Sequence, residues 1–256
     1  MARYKIILLG GSGISTNIVF NSINNKFGIF TAIIEKKESI KIFITRRIKK
    51  LGLFTVIGQI IFQLFITRML RITSSKRINE IITENSLETG EIPEEKVKRV
   101  KSINADETIE ILKQIDPDLV IVNGTRIISK KVISAVNCKL INTHAGITPK
   151  YRGVHGAYWA LVNNDQENCG VTVHFVDEGI DTGNIIYQDI VKITEADNFT
   201  TYPYLQLAKG IELLNKAIQS YYEDGIVLQK NNLESCLWYH PTVWQYLYNR
   251  VRKKVK

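Results

Sequence analysis

The sequence predicts an α/β fold with a mainly parallel sheet, on three observations. Tyr4 to Leu9 is a compact apolar run that opens into a glycine loop, Gly10-Gly11-Ser12-Gly13, and then into a helical pattern over Ile18 to Ile23. Leu119 to Val122 is a second such run, ending in Asn123-Gly124 ahead of the helix-like stretch Lys130 to Ala135. Apolar runs without alternation belong to strands covered on both faces, as parallel strands are. Further on, Leu205, Ala208, Ile211, Leu214 and Ile218 recur at helical spacing and supply an apolar face to lay on such a sheet.

The remaining elements follow in order. Ile29 to Glu35 reads as a strand. The alternation then breaks: residues 36–77 carry eleven Lys and Arg against one acid, Glu38. They enclose Leu51 to Ile66, apolar except for Thr55, Gln59, Gln63 and two glycines. That run is shorter than the ~20 residues a membrane span needs. Three readings stand side by side: a helical hairpin packed on the domain, a basic amphipathic anchor on anionic membrane, and an oligomer interface such as that of a homodimer. Ser74 to Lys98 reads as a helix fragment and an exposed loop, and Arg99-Val100 as a short strand. Asn104 or Asp106 is expected to cap a helix that Pro117 stops. Val171 to Val176 alternates apolar and polar, as a half-buried strand does. Asn184 to Ile193 suggests a strand pair, Thr200 or Thr201 the cap of the long helix, and Ile226 to Gln229 a short strand. Trp238, Tyr239, Trp244, Tyr246 and Tyr248 form an aromatic tail expected to cover the core. The expected organisation is a catalytic domain over 1–195, with a helical insertion about 38–82. A C-terminal helix with an aromatic and basic extension, 196–256, packs on it.

A length of 256 residues fits one α/β domain with an appendage. The net charge of +9 favours an anionic partner: a phosphorylated small molecule, a nucleic acid or an anionic membrane. Cys138, Cys169 and Cys236 are odd in number and far apart, which suits a reducing compartment. The cysteines and four histidines show no metal-ligand spacing, so no metal is expected. The start, Met1 to Lys5, runs straight into a strand-like segment and does not read as a signal peptide. The expected location is the cytoplasm, at the inner face of the membrane if the basic insertion binds lipid.

Candidate chemistry gathers between Leu140 and Gly183. Asn142 and His144 lie two apart at a strand end, and so on one face. The acidic turn Asp177-Glu178-Gly179-Ile180-Asp181-Thr182-Gly183 follows the next strand. An amide can donate to a developing oxyanion, an imidazole titrates near neutrality, and a carboxylate can orient it or help move a proton. The alternative is that His144 is only a hydrogen-bonded strand-end residue. Tyr151, Arg152 and His155 are candidate substrate contacts, Arg152 as a grip on phosphate or carboxylate. His174 reads as a satisfied core or surface residue. Gly11, Ser12 and Gly13 are compatible with a phosphate-binding turn at a helix N-terminus, or with a tight turn capped by Ser15 or Thr16.

The Asn142-Thr143-His144 strand end, the Pro149 loop to Gly153, and Asp181-Thr182-Gly183 together resemble the signature of the folate-dependent formyltransferases. That family includes glycinamide ribonucleotide, methionyl-tRNA and sugar N-formyltransferases. The resemblance implies a Rossmann-like formyltransferase fold and 10-formyltetrahydrofolate as formyl donor. It implies oxyanion stabilisation by Asn142 and His144, and proton transfer assisted by Asp181. It places a folate pocket at Gly124, Thr125, Arg126, Ile127 and Ile128, with Asp177 and Gly179 as further folate contacts. Gly11, Ser12 and Asn17 loosely resemble the phosphate loop of the ribonucleotide enzymes, with a different spacing. The expected acceptor is a nucleotide-linked amino sugar for surface polysaccharide (lipopolysaccharide, O-antigen) synthesis, with glycinamide ribonucleotide as the alternative and no tRNA. Hydrolysis of the formyl-folate and non-catalytic folate binding are the rival classes.

Overall fold

A computed structural model describes residues 4–223 and 225–256; the reading of the chain start at Met1 to Arg3 lies outside them. Seven strands form one sheet in the order β3-β2-β1-β4-β5-β7-β8. They are β1 (Ile6–Gly11), β2 (Thr31–Glu35), β3 (Val97–Val100), β4 (Leu119–Asn123), β5 (Lys139–His144), β7 (Gly170–Phe175) and β8 (Ile185–Ile190). The first five are parallel, and β7 and β8 are added antiparallel. A small second sheet pairs β6 (Arg152–Gly153) with β9 (Leu237–Trp238). The order reverses between β1 and β4. In open α/β sheets, ligands bind in the crevice outside the carboxyl ends at such a point.

Two helical layers cover the sheet. On one face α1 (Ile14–Lys26) and α9 (Tyr202–Tyr222) bury Phe20, Ile23, Leu214 and Ile218 against Leu8, Ile121, Ile141 and Val171. On the other, α6 (Asp106–Ile115) and α7 (Lys130–Ile133) bury Leu112 and Val132 against Ile7, Val120 and Leu140. The central strands are buried on both sides, which is why their sequences are continuous apolar runs.

The insertion is helical throughout. The α2 helix (Ile40–Leu51) turns at Gly52, φ 83°, into an unbroken helix over Leu53–Thr73. This comprises α3 (Leu53–Ile61), a π turn at Phe62–Ile66 and α4 (Thr67–Thr73). The α5 helix (Ser75–Glu84) follows. Phe62 anchors the insertion in a third core cluster with Tyr158 of α8 (Gly156–Val162), Phe199, and Tyr246 of α10 (Val243–Arg252). Burying one such ring contributes about 1.5–3 kcal/mol, so the insertion and the C-terminal aromatics hold each other on the body.

Three expectations need correction. Asn184 to Ile193 forms a single strand, β8, because its partner is β7 and not itself. Ile226 to Gln229 makes only one bridge, Gln229 to Ile185. Ala105 stands at the N-cap of α6 without side-chain capping. The Asn104 side chain instead donates to the Ile127 carbonyl and accepts from the Ser129 N–H.

Candidate active site

Register brings the chemistry together. β5 and β7 pair so that Asn142 stands opposite His174, and His144 opposite Thr172. His174 Nδ1 lies 2.7 Å from the Phe175 carbonyl and therefore donates to it. Its Nε2 then accepts from the Asn142 amide at 3.1 Å. Asp181 sits in the left-handed region, φ 52°, which Asp tolerates better than most residues. That turn swings its carboxylate between two imidazoles, Oδ2 3.3 Å from His144 Nδ1 and Oδ1 3.8 Å from His174 Nε2. The Gly153 N–H donates to Oδ2 at 2.9 Å. His144, 6% exposed, is fixed from its other side by donation of Nε2–H to the Tyr151 carbonyl at 2.7 Å. Gly146 permits that contact: a Cβ there would stand 2.3 Å from the Tyr151 oxygen and 2.8 Å from His144 Nε2.

These contacts set the protonation. Burial raises the Asp181 carboxyl, but the charge of His144, the neighbouring His174 and the Gly153 N–H outweigh it and bring it to about 2. Burial lowers His144, opposed by the Asp181 charge and the Tyr151 carbonyl. With Nε2–H committed to Tyr151, the proton of His144 that comes and goes is the one on Nδ1, facing that carboxylate.

The loop after β4 flanks this constellation on the same face of the sheet. Buried Glu35 accepts from the Ile103 N–H at 2.9 Å, and from the Arg126 N–H and Nη1 at 2.7 Å each. The Arg126 guanidinium is thus committed to the fold, with Nη2 on the Lys36 carbonyl. Thr125 closes locally on the Arg126 carbonyl, Ile128 is buried, and Ile127 is 57% exposed. Across the gap Asp177 accepts from the Gly179 N–H and the Thr182 hydroxyl. A 2.9 Å Lys130–Glu178 ion pair shows that the two loops face each other. At that exposure it contributes at most ~1 kcal/mol.

A cavity of about 380 Å³ opens on the opposite face of the same strand ends. Thr143 and Ala145 line it, so Asn142 and His144 are separated from it by the thickness of β5. Its other walls are Ser15 and Asn123, Arg71 of α4, and Tyr204 and Leu207 of α9, with His155 and His240. Asn123 donates to Thr16 Oγ1 at 3.1 Å. Gly11 is a packing requirement, since a Cβ would meet the Gly124 carbonyl oxygen at 2.3 Å. Thr16 closes the turn by donating to the Gly11 carbonyl at 2.6 Å. Ser12 contacts the Glu35 carbonyl at 3.4 Å, and Gly13 is the N-cap of α1. It is the next turn, Ile14 and Ser15, that reaches the cavity.

The other candidates divide. The Tyr151 side chain is fully buried, its hydroxyl on Asp165 at 2.6 Å, and it meets the site through its carbonyl. Arg152 Nη1 donates to the Ile180 carbonyl beside Asp181 at 3.2 Å, and its buried Nε has no partner among the described residues. His155 lines the cavity, its ring 4.3 Å from Phe199 and its Nε2 2.9 Å from His240 Nδ1. The residue that sequence reasoning missed is His174. Its signal was the alternation of Val171 to His174, which gains meaning only once β5 is known to be the partner strand.

The profile of the formyl transferase family matches residues 70–218, more than half of the chain and all of this constellation. The chain belongs to the formyl transferase family. Among its curated members, the methionyl-tRNA formyltransferase of Finegoldia magna is 33% identical over 122 residues, 47% of this chain and 39% of that protein. The chain thus matches about two-fifths of that relative's length. Solved formyltransferase structures share the fold. Glycinamide ribonucleotide transformylase 1 from Symbiobacterium toebii gives a TM-score of 0.58 at 18% identity, covering 93% of this chain and 96% of that one. The N-formyltransferase from Helicobacter canadensis, solved with folinic acid and dTDP-3-aminofucose, gives 0.54 at 21% identity, covering 91% and 70%.

Proposed function

We propose that the protein transfers a formyl group from 10-formyltetrahydrofolate to the primary amine of a nucleotide-linked amino sugar, without a metal and on the cytoplasmic side of the membrane. The observation that carries the reading is Asp181 held between His144 and His174, with Asn142 on His174, at the carboxyl end of β5. The facing loops at 124–128 and 177–179 would hold the folate, on the same face as these groups. The donor supplies a carbonyl carbon to the site. As the acceptor amine bonds to it, charge develops on the carbonyl oxygen. The Asn142 amide has two N–H donors, one taken by His174 and one left for that oxygen. The amine must lose a proton. Asp181, at about 2, is too weak a base to keep it. His144 Nδ1 accepts it beside the fixed carboxylate and returns it to the leaving nitrogen.

The acceptor reading rests on the cavity. Its walls combine a helix N-terminus, one Arg, and aromatic and aliphatic side chains, a mixture that suits a nucleoside diphosphate carrying a sugar. Its position across β5 from the folate loops lets an amine reach the formyl carbon over the strand end at Ala145. Similarity to a methionyl-tRNA formyltransferase favours tRNA as the second reading, and glycinamide ribonucleotide follows from the shared fold. Thermal stabilisation by dTDP, UDP, GDP, glycinamide ribonucleotide, initiator methionyl-tRNA and a folate analogue separates them. The expected result is a rise in Tm with the folate and with one nucleoside diphosphate. A rise with glycinamide ribonucleotide or the tRNA, and with no diphosphate, would overturn the sugar acceptor. No shift with the folate would overturn the donor.

A further inference from the structure

The helix Leu53–Thr73 has two unlike faces. Phe62 is fully buried, and the Gln59 and Gln63 side chains bond the His240 backbone carbonyl and ring at 2.6 and 3.0 Å. The opposite face is bare: Leu53, Phe54, Ile57, Leu64, Phe65 and Ile72 are between 42% and 74% exposed. These positions recur at helical spacing and form one stripe along the full helix, about 31 Å at 1.5 Å per residue. The stripe continues onto α10. Trp244 stacks on Phe54, ring centroids 4.6 Å apart. Leu247, Tyr248 and Val251, three, four and seven residues further on, share its face and are exposed. Single exposed apolar residues are ordinary, but a continuous patch over two helices marks an interaction site.

Charge identifies the occupant. The α2 helix buries none of its residues and exposes Ile40 and Ile42 beside Lys41, Arg46, Lys49 and Lys50. Arg68 and Arg71 punctuate the long helix, and Arg250, Arg252, Lys253 and Lys254 end α10. The only acid within residues 36–77 is Glu38, which is paired with Arg46. An apolar stripe bordered by cations, with Trp and Tyr at its edge, has the character of a helix lying in the plane of an anionic bilayer. A twofold contact with a second copy would instead bring these cations against each other. The helix has the length and composition of a membrane span, but Gln59, Phe62 and Gln63 fasten one whole side of it to the body. It can therefore lie on a bilayer without crossing it.

We propose that α2, the Leu53–Thr73 helix and α10 form one docking surface for anionic membrane, with the stripe inserted among the acyl chains and the cations on the headgroups. Because Gln63, Thr67 and Arg71 of that helix also line the cavity, docking sets the cavity mouth at the membrane surface. The proposal does not depend on the identity of the acceptor or on the reaction.

The test is sedimentation of the full chain with phosphatidylcholine vesicles, with and without 30% (about one lipid in three) phosphatidylglycerol, alongside sedimentation velocity without lipid. The expected result is a lipid-free monomer that binds the anionic vesicles at least about tenfold more tightly than the neutral ones, with binding weakened at ~1 M salt. The variant Phe54→Glu/Phe65→Glu should lose binding. Lys41→Glu/Lys49→Glu, which leaves the stripe intact, should lose the anionic preference. Absence of binding to either vesicle overturns the proposal. So does a lipid-free dimer that Phe54→Glu/Phe65→Glu converts to monomer, which would assign the stripe to a second copy.

Discussion

Asp181 meets groups from three segments: His144 on β5, His174 on β7 and the Gly153 N–H after the Pro149 loop, which donates to it. Asn142 does not touch Asp181 directly but is aimed by His174. His174 is therefore a positioning residue, with its own ring fixed by the Phe175 carbonyl. His174→Ala should lower kcat by up to about 100-fold, the scale of a small misplacement of reacting groups. KM for both substrates should hardly change, because His174 lies behind Asn142. Steady-state kinetics check this, and an unchanged kcat would show that Asn142 needs no such support. At this scale the sequence was legible where side chains two apart share a strand face, as with Asn142 and His144. It was not legible where a partner strand decides, as with His174, or where a backbone carbonyl does the holding, as with Tyr151. Arg126 likewise looked available for a ligand until Glu35, ninety-one residues away along the chain, was seen to take it.

At the scale of elements, the junction between the insertion and the C-terminal extension is built on two neutral histidines. Burial, with the nearby Arg47 charge, lowers His240 to about 4. Burial, His240 and Arg47 push His155 well down too. In the unfolded chain both titrate near 6.5. Between those values the unfolded state binds more protons than the native one, so stability rises with pH and is lost as pH falls from ~6.5 towards ~4. For His240 alone the loss is roughly 3 kcal/mol. His240→Gln keeps a polar group there and removes the titration. Denaturant unfolding across that range should therefore show a shallower acid loss in the variant, and equal slopes would place the acid sensitivity elsewhere. The strands of the parallel core were legible element by element, because burial on both faces writes itself as unbroken apolar runs. The insertion was legible as helical from its composition. Its attachment was not, since Phe62 and the two glutamines bind residues far away in the chain. The expected second strand of the Asn184 to Ile193 pair and the strand at Ile226 failed for the same reason: nothing local tells a lone edge strand from a hairpin.

For the whole molecule, the carboxyl end of the internal strand β5 does the organising. Asn142 and His144 lie on one face of β5, the cavity lies on the other beside Thr143, and the end of the strand stands between them. In the proposed reaction, formyl transfer across that strand end depends on the His144–Asp181 pair. The most direct measurement is the rate at which 10-formyltetrahydrofolate is converted to tetrahydrofolate, with formylated amine as co-product. It should be followed for the wild type and Asp181→Asn, with the acceptor that stabilises the protein. The account expects turnover in the wild type and a fall of roughly two to three powers of ten in the variant, the scale of removing one preorganised electrostatic partner, with the Tm shift by the folate analogue retained. A variant that turns over at the wild-type rate, or a wild type that binds both ligands and transfers no formyl group, would contradict it.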